Sequence, residues 1–196
     1  MEETGLKIID ELFNLTNHTA IVAGGAGAIG SGMSETLLKA GANVIIWSRS
    51  NSSLEEVRLK LMQYTSNPEQ IYTCRVDTAD EQAVAAALTR SQIEMGTADI
   101  LVNTVGGNMG KTDFIDTDLD QFIKIVELNL MAGLMVPTKV VAAQWIKKKI
   151  QGSIINLTSM ASYNPLSGVW AYDAAKAAVL NLTRAAANEF AVHGIR

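Results

Sequence analysis

Ala23-Gly24-Gly25-Ala26-Gly27-Ala28-Ile29-Gly30 follows the apolar run Thr19-Ala20-Ile21-Val22 and leads into a helical pattern near Ala28–Ala40. Its core is Gly25-x-Gly27-x-x-Gly30, three glycines placed where a strand turns into a helix. That spacing serves three needs at once: a tight turn, close approach of backbone to a pyrophosphate, and close contact between helix and strand. A helix opening at this point directs its unpaired N–H groups at the phosphates. The stretch therefore predicts the first βα unit of a dinucleotide-binding fold, with Gly24, Gly25, Gly27, Ile29 and Gly30 against the cofactor.

Outward from this loop, short apolar runs alternate with longer helical patterns. The runs are Thr19–Ala23, Ala42–Trp47, Gln70–Val76, Asp99–Thr104 and Ser153–Thr158. They are rich in Ile and Val and nearly continuous, as strands covered on both faces should be. Helices are predicted near Ala28–Ala40, Leu54–Tyr64, Asp80–Met95, Leu119–Lys148 and Gly168–Val192, with Gly41 and Gly96 at helix stops. Such alternation specifies an α/β fold, a doubly wound (Rossmann) parallel sheet with right-handed crossovers and helices on both faces. Five strands are read where six are usual. The sixth should begin just after the last helix, yet the chain stops at Gly194-Ile195-Arg196, so residues 1–196 read as a single domain whose C-terminal strands are missing. Before the first strand, Ile8, Ile9, Leu12 and Phe13 are expected to form a short packing helix.

Composition narrows the function. The 196 residues are 48% hydrophobic and 18% charged, with 20 acidic against 16 basic side chains and a net charge of -4. That is enough apolar surface to fold, and the sign of the charge argues against a nucleic-acid partner. The basic run Lys147-Lys148-Lys149 closes a helical pattern, where cations complement the helix dipole. The single cysteine, Cys74, forms no disulfide within the chain and fits a reducing compartment. The acidic N-terminus lacks an apolar signal core, and Leu128–Ile146 is interrupted by polar residues and Pro137, so no membrane span is expected and the cytoplasm is the expected location. His18 and His193 have no accompanying ligand cluster, so no metal is expected.

NAD readers usually place an acid at the end of the second strand, against the ribose hydroxyl. Here that strand ends Ile46-Trp47-Ser48-Arg49-Ser50. Arg49 supplies a fork of donors suited to a phosphate and Ser48 a hydroxyl, which favours NADP(H) as cofactor, with NAD(H) as the alternative.

Tyr172 and Lys176 lie one helical turn apart, on one face. A free phenol titrates near pH 10, far from where a general acid/base works best. One cation at about 4 Å, at an effective dielectric near 20, contributes about 4 kcal/mol, which is roughly three pKa units. Ser159 follows the fifth strand at its carboxyl end, where ligands sit in open α/β sheets. It is placed to hydrogen-bond a substrate oxygen beside the tyrosine.

Together these residues resemble the short-chain dehydrogenase/reductase family from about Phe13 to Arg196. The family's Thr-Gly-x-x-x-Gly-x-Gly loop matches Ala23, Gly24, Ala28 and Gly30. Its Asn-Asn-Ala-Gly motif matches Asn103-Thr104-Val105-Gly106, and its Ser and Tyr-x-x-x-Lys match Ser159 and Tyr172–Lys176. The resemblance implies hydride transfer between NADP(H) and a small carbonyl or alcohol. It further implies that Asn129 is a catalytic residue holding a water in the proton relay, and that Lys176 binds the nicotinamide ribose. Asn103 and Gly106 would border the cofactor, and Asp77 would contact adenine; from the residues alone, Asp77 reads as a turn or cap. Three departures stand out: Ala23 for Thr, Ala28 for Gly, and Thr104-Val105 for Asn-Ala. Gly106-Gly107-Asn108, Leu128-Asn129 with Pro137-Thr138, and Ser159-Met160 with Pro165-Leu166 resemble the branch acting on sugar acids, such as fructuronate/mannonate oxidoreductases. In that branch Asn108 would meet a polyol or carboxylate; the alternative is a plain turn. The resemblance also implies a homodimer or homotetramer through Leu119–Lys148 and Gly168–Val192. A cofactor-binding module without turnover, regulatory or partner-binding, stays open as a second reading.

Overall fold

A computed structural model describes residues 11–196. Five parallel strands, β1 (Thr19–Ala23), β2 (Asn43–Ser48), β3 (Ile71–Arg75), β4 (Ile100–Asn103) and β5 (Ser153–Asn156), form one sheet in the order β3-β2-β1-β4-β5. The helices are α1 (Ala28–Lys39), α2 (Asn51–Leu61), α3 (Glu81–Met95), α4 (Leu119–Val126), α5 (Val136–Lys148) and α6 (Trp170–Phe190).

The continuous apolar character of the strands follows from burial on both faces. Ile21, Ala23, Ile45 and Trp47 enter one core with Val84 and Leu88 of α3 and Val141 and Trp145 of α5. Their neighbours Ala20, Val22, Val44 and Ile46 enter the opposite core with Leu38 of α1 and Leu54, Val57 and Leu61 of α2. Period-two alternation is thus present, but between two apolar environments, so it leaves no polar trace in the sequence. Winding outward from β1 in both directions places the topological switch between β1 and β4, and the crevice at their carboxyl ends is where such sheets bind ligands.

Two expectations are adjusted. Helix α2 begins at Asn51, three residues before the apolar pattern, because the Ser50 side chain caps it by accepting the Ser53 N–H. Residues 11–13 are helical, but Leu12 and Phe13 are 73% and 69% exposed among the described residues; Ile8 and Ile9 lie outside the described residues. After α6, the Ile154 N–H donates to the Arg196 carbonyl at 2.8 Å and the Arg196 N–H to the Gly152 carbonyl at 3.0 Å. Ile195 is buried in a parallel bridge with Gly152. This puts the last residues beside β5, where a sixth strand is expected.

The predicted helix 119–148 is one apolar body with a change of winding. Between α4 and α5, residues Glu127–Met135 adopt a π-helix. Pro137, which brings no N–H, lies just beyond it, and Gly133 allows the segment to approach the Val105 carbonyl, 2.5 Å from where a Cβ would stand. By length and composition this body passes for a bilayer span, yet Ile125, Ala132, Leu134, Val141 and Trp145 are buried within the fold. Single π turns recur at functional sites, and this one carries Asn129.

Candidate active site

The glycine loop is held by its neighbours. Gly24 has φ +79°, and a Cβ there would stand 2.7 Å from Thr104 Oγ1 and 2.9 Å from the Val105 nitrogen. A Cβ on Gly30 would strike the Gly24 carbonyl oxygen and lie 2.8 Å from Gly25 Cα. These positions exclude side chains because β1, the start of α1 and the segment after β4 converge within van der Waals distance. Thr104, a departure from the family pattern, pins this segment to β1, since both its N–H and its hydroxyl donate to the Ala23 carbonyl, at 2.9 and 2.7 Å. The expected site residues divide here. Gly24 and Gly27 face the cleft, whereas Gly25 and Gly30 are buried behind it. Ile29 is 62% exposed in the first turn of α1. Ala28, the methyl in place of the usual glycine, is also exposed.

The cleft has a volume of about 630 Å³, within the range of cofactor sites. Ser48, Arg49 and Asp77 line one end, and Thr104, Val105 and Gly106 the other. Asp77 is both a turn residue and a wall of the cleft: its Oδ1 accepts the Ala79 N–H at 3.0 Å, while Asp80 caps α3. A groove of this size, floored by glycines that leave room for backbone contact and ending in a helix start, fits a dinucleotide.

Beyond Gly106, Lys176 and Asn129 come together, with Tyr172 one helical turn from Lys176. Lys176 is 5% exposed, and its Nζ donates to the Leu157 carbonyl at 2.9 Å. The same nitrogen lies 5.8 Å from the Tyr172 ring centroid. A Cβ on Gly106 would stand 3.2 Å from Lys176 Nζ and 2.6 Å from Asn129 Oδ1, so glycine is what lets these two side chains meet the end of the cleft. Asn129 is fully buried and clamps Gly107: its Oδ1 accepts the Gly107 N–H at 3.0 Å, and its Nδ2 donates to the carbonyls of Gly107 and Ile125 at 2.6 and 2.9 Å. Ser159 caps a short 3₁₀ turn, its Oγ accepting the Ala161 N–H at 3.2 Å. That bond leaves the hydroxyl proton available to a ligand.

Comparison with known proteins matches this geometry. The short chain dehydrogenase family model matches residues 18–196. The chain belongs to that family. A 2-dehydro-3-deoxy-D-gluconate 5-dehydrogenase of Dickeya dadantii is 30% identical over 93% of this chain and 70% of its own length. Among solved structures, a short-chain type dehydrogenase/reductase from Mycobacterium marinum is 28% identical with a TM-score of 0.87, over 95% of this chain and 72% of that one. The NADPH-bound short chain oxidoreductase from Pseudomonas aeruginosa PAO1, described as containing an atypical catalytic center, is 28% identical with a TM-score of 0.85, over 93% of this chain and 70% of that one. As a short-chain dehydrogenase, the chain is an NAD(P)(H)-dependent oxidoreductase acting on a small molecule.

Asn103 departs from what the family motif implied. It does not line the cleft; it is buried, and its Nδ2 donates to Thr138 Oγ1 at 3.0 Å and Asn156 Oδ1 at 2.8 Å. Its side chain ties β4 to β5 and α5, so it acts on the cleft through strand position. Asn108 turns its amide back onto the Gly110 carbonyl, the plain-turn alternative. Ser162 carries no signal in the sequence, yet its Oγ accepts the Ser159 N–H at 3.4 Å and donates to the Lys176 carbonyl at 2.8 Å. One hydroxyl thereby joins the serine turn to α6.

Burial pushes the Lys176 ammonium below the usual lysine range. For a base with a lowered folded pKa, the unfolded chain binds more protons between the folded and unfolded values, so stability rises with pH across that window. In denaturant titrations, the stability of the parent relative to Lys176→Met should therefore increase as pH is raised from neutrality toward about 10, where free lysine titrates. A difference that does not change with pH contradicts a desolvated ammonium.

Proposed function

We propose that this enzyme interconverts a carbonyl and an alcohol on a sugar acid or related polyol, with NADP(H) preferred over NAD(H). The observation that carries the chemistry is the buried Lys176 ammonium, at the Gly106 end of the cleft and one helical turn from Tyr172. When bound, the cofactor supplies or takes the hydride. The chain's own residues handle the proton and the geometry. Tyr172 gives its phenolic proton to the substrate oxygen during reduction and recovers it during oxidation, with Lys176 one helical turn away and its Nζ 5.8 Å from the ring centroid. Ser159 donates its free hydroxyl proton to the same oxygen and fixes its position. Lys176 also holds the nicotinamide ribose. Asn129, by gripping Gly107 from inside the π-helix, keeps the end of the cleft rigid; its side-chain groups are taken up by Gly107 and Ile125, so its part is positioning.

At the other end, Gly24, Gly27 and the first turn of α1 would hold the pyrophosphate. Ser48 and Arg49 would meet the 2′-phosphate, and Asp77 the adenine. The NADP(H) preference is supported by the strand-end residues Ser48-Arg49, which offer hydrogen-bond donors and no carboxylate. The sugar-acid reading is supported by the name of the Dickeya dadantii relative.

Two substitutions test these roles. In Tyr172→Phe, reduction of keto sugar acids by NADPH should fall by about 10²-fold or more, while NADPH affinity stays within a few-fold of the parent. If the parent binds NADPH tightly but turns over no carbonyl, the non-catalytic binding module is the correct reading. Arg49→Asp should move the kcat/KM ratio toward NADH by at least about tenfold; an unchanged ratio contradicts the assignment of Arg49.

A further inference from the structure

We propose that Arg75 is a second specificity-determining side chain for the 2′-phosphate, acting beside Arg49 at the adenosine end of the cleft. This rests on the NADP(H) reading above and adds a residue to it from a different strand. In the parallel pairing of β2 with β3, Ser48 is the register partner of Arg75, so their side chains leave the sheet on the same face. The two strand ends are joined again where the Val76 N–H donates to the Ser48 carbonyl at 2.9 Å. Arg75 Nε then donates to the Arg49 carbonyl at 3.0 Å. This single bond holds the guanidinium at the end of β2 and leaves its two terminal nitrogens free of that carbonyl.

The charge balance at this corner is unusual for an acidic chain. Arg49 and Arg75 both stand exposed at adjoining strand ends. Among the described residues, no carboxylate lies within ion-pair distance of either guanidinium. The nearest acid on the cleft wall, Asp77, has one oxygen engaged by the Ala79 N–H. Two exposed arginines at adjoining strand ends, Arg49 on the cleft wall and Arg75 just outside it, give the Ser48 corner a positive charge complementary to a dianion. A phosphate monoester carries that charge and accepts forked hydrogen bonds, whereas a ribose hydroxyl offers neither.

The alternative is a strand-end clamp in which only the bond to the Arg49 carbonyl matters. Arg75→Gln separates the two, because glutamine keeps an N–H donor for that carbonyl and removes the charge; Arg75→Lys keeps the charge. Calorimetric titration of the intact protein with 2′,5′-ADP and with 5′-AMP reads the 2′-phosphate without requiring turnover. The expected result is that the parent prefers 2′,5′-ADP. Arg75→Gln should weaken 2′,5′-ADP by about tenfold and leave 5′-AMP unchanged, and Arg75→Lys should retain most of the preference. If the parent discriminates and Arg75→Gln discriminates equally, or if Arg75→Gln weakens both ligands alike, the role of Arg75 is overturned while the NADP(H) reading stands. If the parent does not distinguish the two ligands, both fall together.

Discussion

A cation removed from water governs how the site is arranged. Burying an ammonium is costly unless the protein supplies acceptors in place of the solvent, and Lys176 obtains one from the Leu157 carbonyl, just past β5. To reach it, α6 must sit against the ends of β4 and β5, and the chain after β4 must pass without a side chain at Gly106. The π-helix then brings Asn129 to the same glycine from the other side. Ser162 links the serine turn to the backbone of Lys176 itself. Segments near Gly106, Asn129, Leu157–Ser162 and Lys176 are thus positioned around one charge, the charge on which the proposed proton exchange at Tyr172 rests.

At the opposite end of the cleft the constraint is steric. Gly24 and Gly30 are fixed by backbone and by Thr104, not by ligand chemistry alone. The same close packing that lets a pyrophosphate approach the backbone also seats α1 against β1. The family pattern can therefore vary at Ala28, which points outward, and at Thr104, where a hydroxyl supplies a bond to Ala23. It cannot vary at Gly30, where any added atom meets backbone.

The sheet was legible because residues such as Val44 and Ile45 are apolar toward both cores, and the nucleotide loop because its glycines are required sterically. That Tyr172 and Lys176 share one face of a helix was legible through their spacing; the role given to them is the proposal's. Other features leave weaker traces. The start of α2 is polar, so Ser50 as its cap is hidden among serines. The π-helix has no periodicity of its own in a segment apolar all round; only Gly133 and Pro137 hint at it. Asn103 turns inward despite its motif, because a motif reports position in the chain, not the direction of a side chain. Ser162 and Arg75 act through strand register and backbone carbonyls, which become neighbours only once β2, β3, β5 and α6 are assembled. Leu12 and Phe13 have the composition of packing residues, but among the described residues they stand exposed.

The most direct measurement is a crystal structure of the protein with NADP(H) bound. The expected density runs from Ser48 and Arg49, across Gly24 and Gly27, to a nicotinamide ribose within hydrogen-bond reach of Lys176 Nζ and the Tyr172 hydroxyl. A dinucleotide seated elsewhere, or one whose nicotinamide end lies away from Gly106 with Tyr172 and Lys176 unengaged, would contradict the placement of the chemistry.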